Sequence, residues 1–202
     1  MMEKKKYKTV IAYLDRVVIN TLSGELYPTN YFDMKMNFGF LKALKDYSPD
    51  RLVLFVNRTI IKTGRKISNS EFWSKLNFIK TGIQNYIRIS TGNKVNLPII
   101  SLYSIAYDWK LGLDQETSED FINSIPDFKS EDTLFILPND GYGEDFCKEH
   151  NIKSITIEKF ITYATEQNQT SVFEERSSGG AGSITDSSTY SPRTRRSHRV
   201  DP

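Results

Sequence analysis

The side chains of this chain that could do chemistry follow its short apolar runs. Asp15, Asn57 and the pair Asn139-Asp140 each lie at or just beyond the end of such a run. A carboxylate in that position can act as a nucleophile or a general acid. Ligands of doubly wound sheets bind in the crevice at the carboxyl ends of the strands. The spacing therefore predicts that these residues meet in one crevice.

Two interpretations of these residues are open. Asp15 and Lys110 could form a phosphate or ligand site, but an internal salt bridge is favoured, because polar groups in a closed pocket are usually satisfied by each other. Asn139-Asp140-Gly141 could chelate a cation weakly. A tight turn explains the same residues equally well, because Asn, Asp and Gly are the residues that turns prefer.

Cys147 and His150 are spaced by one helical turn, which would suit two metal ligands. No third ligand follows nearby, so a half-buried thiol and a surface histidine are the favoured interpretation. The chain has one cysteine. An internal disulfide is therefore excluded, and a reducing compartment is expected.

The elements that position these residues alternate along the chain. Apolar runs at 10–14, 52–56, 97–102, 134–137 and, more weakly, 154–157 are typical of strands buried on both faces. Helical spacing separates them, most clearly at Phe72, Leu76, Ile79, Ile83 and Ile87. The pattern predicts an α/β fold: a doubly wound, mostly parallel, Rossmann-like sheet with helices on both faces. Phe72, Trp73 and Phe78 are expected to pack in the core or along the helix rather than to stack on bases.

The composition divides the chain into an α/β domain at 1–168 and a tail at 169–202. The tail is rich in Ser and Gly with a basic end, so it is expected to be flexible when alone. Its candidate partner-binding residues are Tyr190, Arg193, Arg195, Arg196 and Arg199. Docking onto a protein neighbour is favoured, and nucleic-acid binding is the alternative.

Overall charge and hydropathy exclude other classes. The formal net charge is +2, too small for a polyanion binder by charge alone. No segment approaches the ~20 apolar residues of a membrane span. We therefore expect no membrane partner and a cytoplasmic location, or a virion assembled in the cytoplasm.

The segment after the first run resembles a known family. Asp15 is followed by Ser23-Gly24-Glu25-Leu26-Tyr27-Pro28. This is similar to the opening of haloacid dehalogenase (HAD) phosphatases, most closely their polynucleotide 3′-phosphatase branch, where a D-x-D-G-T-L strand end precedes such a hairpin. The match places Tyr13 at the nucleophile and Asp15 at the general acid, with Arg16-Val17 in place of Gly-Thr.

The resemblance continues, in order, over about residues 8–162. It places Val56 at a phosphate-binding Thr, just before Asn57, and Lys110 at the family lysine. Asn139-Asp140 fall where a metal-binding acid is expected. In the family the first aspartate attacks phosphorus, and magnesium neutralises the phosphoryl oxygens.

The resemblance thus implies a HAD-type sheet whose pocket is vestigial. A phenol at position 13 cannot simply replace a carboxylate, because its ordinary pKa is near ~10. A shifted alignment with Asp15 as the nucleophile puts Val17 at the acid position instead. We expect a catalytically inactive module without a cofactor that serves binding or assembly in a larger complex, such as a phage virion, with the tail as a docking arm. The alternative is a magnesium-dependent phosphatase acting on nucleic-acid 3′-phosphate ends or small phosphate esters.

Overall fold

The computed structural model describes residues 6–26, 33–57, 69–104 and 121–166. Its strands are β1 Thr9–Tyr13, β2 Ile19–Asn20, β3 Lys35–Met36, β4 Arg51–Asn57, β5 Ile99–Ser104, β6 Thr133–Leu137 and β7 Lys153–Thr156. Its helices are α1 Phe38–Tyr47, α2 Asn69–Ser90, α3 at 121–123, α4 Glu144–Glu149 and α5 at 157–166. A 3₁₀ turn at Ser130–Asp132 precedes β6.

Five strands form one parallel sheet in the order β5-β4-β1-β6-β7. Ala12 in the central strand β1 pairs with Leu54 on one side and Ile136 on the other. The winding reverses between β1 and β6, which makes their carboxyl ends the topological switch point of the sheet. The predicted α/β fold with a parallel sheet flanked by helices is confirmed.

The sheet is buried because helices cover it. Every residue of β1 and β6 is buried, as expected for a parallel sheet whose apolar side chains point both ways. Helix α2 contributes the predicted stripe, and Leu76, Ile79, Ile83 and Ile87 are all buried. Among the described residues, no helix is both long and apolar enough to cross a membrane.

A small antiparallel ribbon connects β1 to α1. Ile19 in β2 pairs with Met36 in β3. Asn37 then caps α1: its Oδ1 accepts from the backbone N–H of Phe40 at 3.2 Å, and its Nδ2 donates to Val17 O at 2.9 Å. The side chain of Asn37 thus fixes the start of the helix to the loop that follows β1. Residues 23–26, the first part of the segment expected to form a hairpin, lie in the connection between the antiparallel strands β2 and β3, and 27–28 lie outside the described residues.

Two expectations about apolar residues need correction. Trp73 and Phe78 lie outside the core, since they are 42% and 63% exposed, and the side chain of Phe72 lies outside the described part of the chain. The buried stripe of α2 occupies one side of the helix, and these two positions fall outside it at 3.6 residues per turn. The strand expected from residue 97 begins instead at Ile99. Leu97 is buried but lies in the approach to the strand, where Pro98 accepts a hydrogen bond from Leu52 N.

Candidate functional site

The loop after β1 is a tight turn held by its own backbone. Arg16 N donates to Ile19 O at 2.8 Å, and Ile19 N donates back to Leu14 O at 3.0 Å. Arg16 has a φ of +68°, in the left-handed region that favours glycine. This is the position where the resemblance expects glycine, so the chain keeps a backbone suited to glycine while carrying a long cationic side chain.

Asp15 is a buried carboxyl group at the start of this loop. It is only 8% exposed, and its Oδ1 atom has no hydrogen-bond partner. Burial raises the pKa of Asp15 above its ordinary value of 3.8, while the positive charges of Lys75 and Arg16 act in the opposite direction and lower it. Lys75 is half-buried on α2. The carboxyl of Asp15 therefore sits in a position where its neutral form is favoured by desolvation.

Arg16 bridges the two central strands. Its Nη1 atom donates to Asp140 Oδ2 at 2.7 Å. The Arg16 side chain is 14% exposed and that of Asp140 is 51% exposed. The guanidinium carbon also lies 5.6 Å from the ring centre of Tyr142. The residue thus places a fixed positive charge in the crevice between the carboxyl ends of β1 and β6.

Residues 139–141 form a tight turn, which was the alternative to a weak cation site for this segment. Gly141 N donates to Pro138 O at 2.9 Å, and Asp140 Oδ1 accepts from Tyr142 N at 3.2 Å. Gly141 has a φ of +73°, which explains the need for glycine there. The turn orients Asp140 so that one carboxylate oxygen stabilises the backbone while the other pairs with Arg16.

Asn139 joins the turn to α5. Its Nδ2 donates to Glu158 Oε1 at 2.9 Å, and its Oδ1 accepts from Glu158 N at 3.3 Å. Glu158 lies in the first turn of α5, where a backbone N–H has no partner within the helix. Both polar atoms of the Asn139 side chain therefore have structural partners.

Tyr13 lies below the crevice in an aromatic cluster. It is buried, with its ring centre 5.1 Å from that of Phe55 and 5.8 Å from that of Tyr142 in an edge-on arrangement. Asn57 ends β4, in register with Ser104 of β5. Its side chain lies outside the described part of the chain, as do Lys110 and the tail residues Tyr190, Arg193, Arg195, Arg196 and Arg199.

A cavity of about 340 Å³ opens between the loop and the ribbon. Its polar lining residues are Asp15, Arg16, Asn20, Thr21, Glu25 and Lys35. Residues 24–26 form part of its wall, and Ser23 just before them is held by Asp33, a buried carboxylate that accepts from Ser23 N and Ser23 Oγ, both at 2.7 Å. The structure therefore brings together Asp15, Arg16 and Asp140 at the crevice and adds a lined cavity beside them.

Sequence reasoning gave Lys75, Glu25, Lys35 and Asp33 no role at this site, although Glu25 belongs to the segment that carries the resemblance. The sequence gave one weak indication that Lys75 lies near the core, since it adjoins Leu76 and lies one turn from Ile79 of the buried stripe of α2. Asp33 had no signal, because it lies in a loop and its partner Ser23 is set by the tertiary fold.

The Cys147 and His150 pair has a packing role. The thiol is buried, more so than the half-buried position expected, and burial raises the pKa of Cys147 to about 12. The imidazole of His150 is half-buried and lies 4.4 Å from the ring centre of Phe146. Within the described ranges, no three His, Cys, Asp or Glu side chains are grouped so that they could hold a metal ion.

Comparison with known proteins adds no identification. The sequence matches no protein-family model and no curated protein.

Proposed function

We propose that this chain is a HAD-like module that does not catalyse phosphoryl transfer and acts by binding, as a component of a larger protein assembly. The observation that carries the proposal is the ion pair between Arg16 and Asp140. It lies at the carboxyl ends of β1 and β6, the place where the chemistry of the resembled family would have to occur.

The first argument concerns the metal. The family reaction needs magnesium among oxygen ligands at the ends of β1 and β6, and magnesium demands a near-octahedral set of oxygens. Here Asp140 is paired with a guanidinium, and the Asn139 amide is bound to Glu158. Both side chains are thus engaged by other protein groups, which supports the proposal that this end of the sheet works without magnesium.

The second argument concerns the nucleophile. Attack on phosphorus requires an ionised carboxylate. The carboxyl at this loop is Asp15, whose pKa is raised by burial. The residue that the resemblance places at the nucleophile, Tyr13, packs against Phe55 and Tyr142 instead of lining the cavity. Desolvation thus disfavours the ionised form of Asp15 that attack would need, and Tyr13 does not line the cavity, which supports a non-catalytic role.

The third argument concerns the scaffold and its surface. The five-stranded order with β1 at the centre supports the HAD-like part of the proposal. Four large apolar side chains of α1 and α2 remain exposed and are proposed as further contact residues; they are Phe38, Trp73, Phe78 and Ile89. The basic tail at 169–202 is proposed as the arm that contacts the protein partner.

The catalytic half of the proposal is tested by turnover. The full chain is assayed with magnesium on a 3′-phosphorylated oligonucleotide and on an aryl phosphate, beside the variant Asp15→Asn. We expect no turnover above background from either protein, with circular dichroism showing that both are folded. Turnover that Asp15→Asn removes would establish the phosphatase alternative and overturn the proposal.

The binding part of the proposal is tested by the apparent size of the protein in cell extracts. In extracts of the source cells, the full chain is expected to elute in a large complex on size-exclusion chromatography. The chain lacking residues 169–202 is expected to elute alone. If the shortened chain stayed in the same complex, the tail would not be the docking arm.

A further inference from the structure

We infer that the cavity beside Asp15 binds a small aliphatic ligand through a primary ammonium group. The inference rests on the proposed function, because a phosphatase would have to accept an anion in this position. The cavity of about 340 Å³ lies at the lower end of the range of small-molecule sites, which runs from roughly 300 Å³ upward.

Asp15 supplies the first part of the argument. It lines the cavity, is more than nine-tenths buried, and its Oδ1 atom is without a hydrogen-bond partner. A buried acceptor in that state is costly, and a ligand that donates to it recovers the cost. An ammonium group donates and also brings the charge that stabilises the ionised carboxylate.

The charges around Asp15 leave room for such a cation. The Arg16 guanidinium lies in the lining, but its Nη1 donates to Asp140, a carboxylate outside the lining. Lys75 acts on Asp15 from α2 and does not line the cavity. Burial is the largest effect on the pKa of Asp15 and raises it, so a cation bound next to the carboxyl group would favour its ionised form.

Residues at the rim of the cavity explain why the ligand is expected to be a diamine. Glu25 and Lys35 are both exposed and line the opening. Glu25 offers a second carboxylate for a second ammonium group, while Ile19 and Leu26 provide apolar wall for a short methylene chain. An anionic ligand would instead meet the carboxyl groups of Asp15 and Glu25 in the lining.

Isothermal titration calorimetry on the full chain tests the inference with putrescine as the probe. Butanediol is the neutral analogue of the same length, and inorganic phosphate is the anionic comparison. We expect saturable binding of putrescine and no binding of butanediol or inorganic phosphate. Asp15→Asn should weaken putrescine at least about tenfold, the loss of one charge-assisted hydrogen bond. Glu25→Gln, on the exposed rim, should weaken it severalfold.

Asp132→Asn is the matched control, because Asp132 lies beside the amino end of β6, away from the cavity, and should leave binding unchanged. Equal binding of butanediol, or binding of phosphate in place of putrescine, would overturn the inference. So would putrescine affinity that neither Asp15→Asn nor Glu25→Gln alters. Absence of putrescine binding together with absence of phosphatase turnover would refute this inference alone, whereas turnover would refute the proposed function as well.

Discussion

Arg16 and Asp140 are 124 residues apart in the chain, yet Arg16 Nη1 donates to Asp140 Oδ2 at 2.7 Å. The first residue follows the central strand β1 and the second follows its neighbour β6. The pair therefore joins the two loops at the switch point of the sheet. A guanidinium is always charged at physiological pH and offers several donors, so it can serve as a permanent cation in this crevice.

The strength of this pair is measured by a double-mutant cycle with Arg16→Ala and Asp140→Ala. We expect a coupling free energy of about 1 kcal/mol, because the arginine is largely buried but the aspartate is half exposed. The control is the pair Lys148–Glu144, at 3.6 Å with both side chains mostly exposed, which should couple more weakly. Chemical denaturation provides the free energies of unfolding. Equal coupling in the two pairs would contradict the special position of Arg16.

The backbone at Arg16 favours glycine even though the side chain is useful. Arg16→Gly and Arg16→Ala both remove the ion pair, so their difference isolates the effect of the φ of +68°. We expect the glycine variant to be more stable than the alanine variant by about 1 kcal/mol. At Lys45, inside α1, the order should reverse, because glycine destabilises a helix interior. Both comparisons use urea denaturation.

Asp15→Asn should stabilise the fold at neutral pH. The folded-state pKa of Asp15 lies above its ordinary value of 3.8. The unfolded chain therefore loses its proton first as pH rises, and stability falls from pH 3.8 upward through the folded-state pKa. The asparagine variant has no such loss, so its melting temperature should exceed that of the wild type at pH 7 and the advantage should disappear below pH 3.8. Thermal melts across this range test it, and an advantage independent of pH would refute the assignment.

Asn139→Asp restores the type of residue that the resembled family uses at this position, and we expect it to be destabilising. The new carboxylate oxygen would replace the amide that now donates to Glu158 Oε1 at 2.9 Å. Two like charges at that distance should cost about 1 kcal/mol, because the site is exposed and screened. Combining the change with Glu158→Gln should restore stability in denaturant titrations. Failure of this rescue would mean that the amide acts through another contact.

Cys147 should resist alkylation while the protein is folded. Burial raises the pKa of its thiol to about 12, and the thiolate is the reactive form. Iodoacetamide labelling at pH 8, followed by mass spectrometry, should be slow in the native protein and fast in denaturant. Rapid native labelling would show that α4 opens readily.

The local sequence determined the elements of this protein. Unbroken apolar runs such as 134–137 predicted strands buried on both faces, and the spacing of Leu76, Ile79, Ile83 and Ile87 predicted the buried face of α2. The Asn37 cap is equally local, because its side chain accepts from the backbone N–H of Phe40, three residues along the chain. These features rest on interactions between neighbours in the chain, so periodicity and residue type suffice to find them.

Only the tertiary structure decided how the candidate site is arranged. The sequence placed Asp15 and Asp140 after strands, but it did not reveal that Arg16 would join them or that Asn139 would turn to Glu158. It also did not place the charge of Lys75 near Asp15. These relationships depend on the strand order, on a left-handed backbone at Arg16 and on the packing of α2. None of these is encoded in the spacing of residues along the chain, because each is set by contacts between segments that meet only when the sheet has formed.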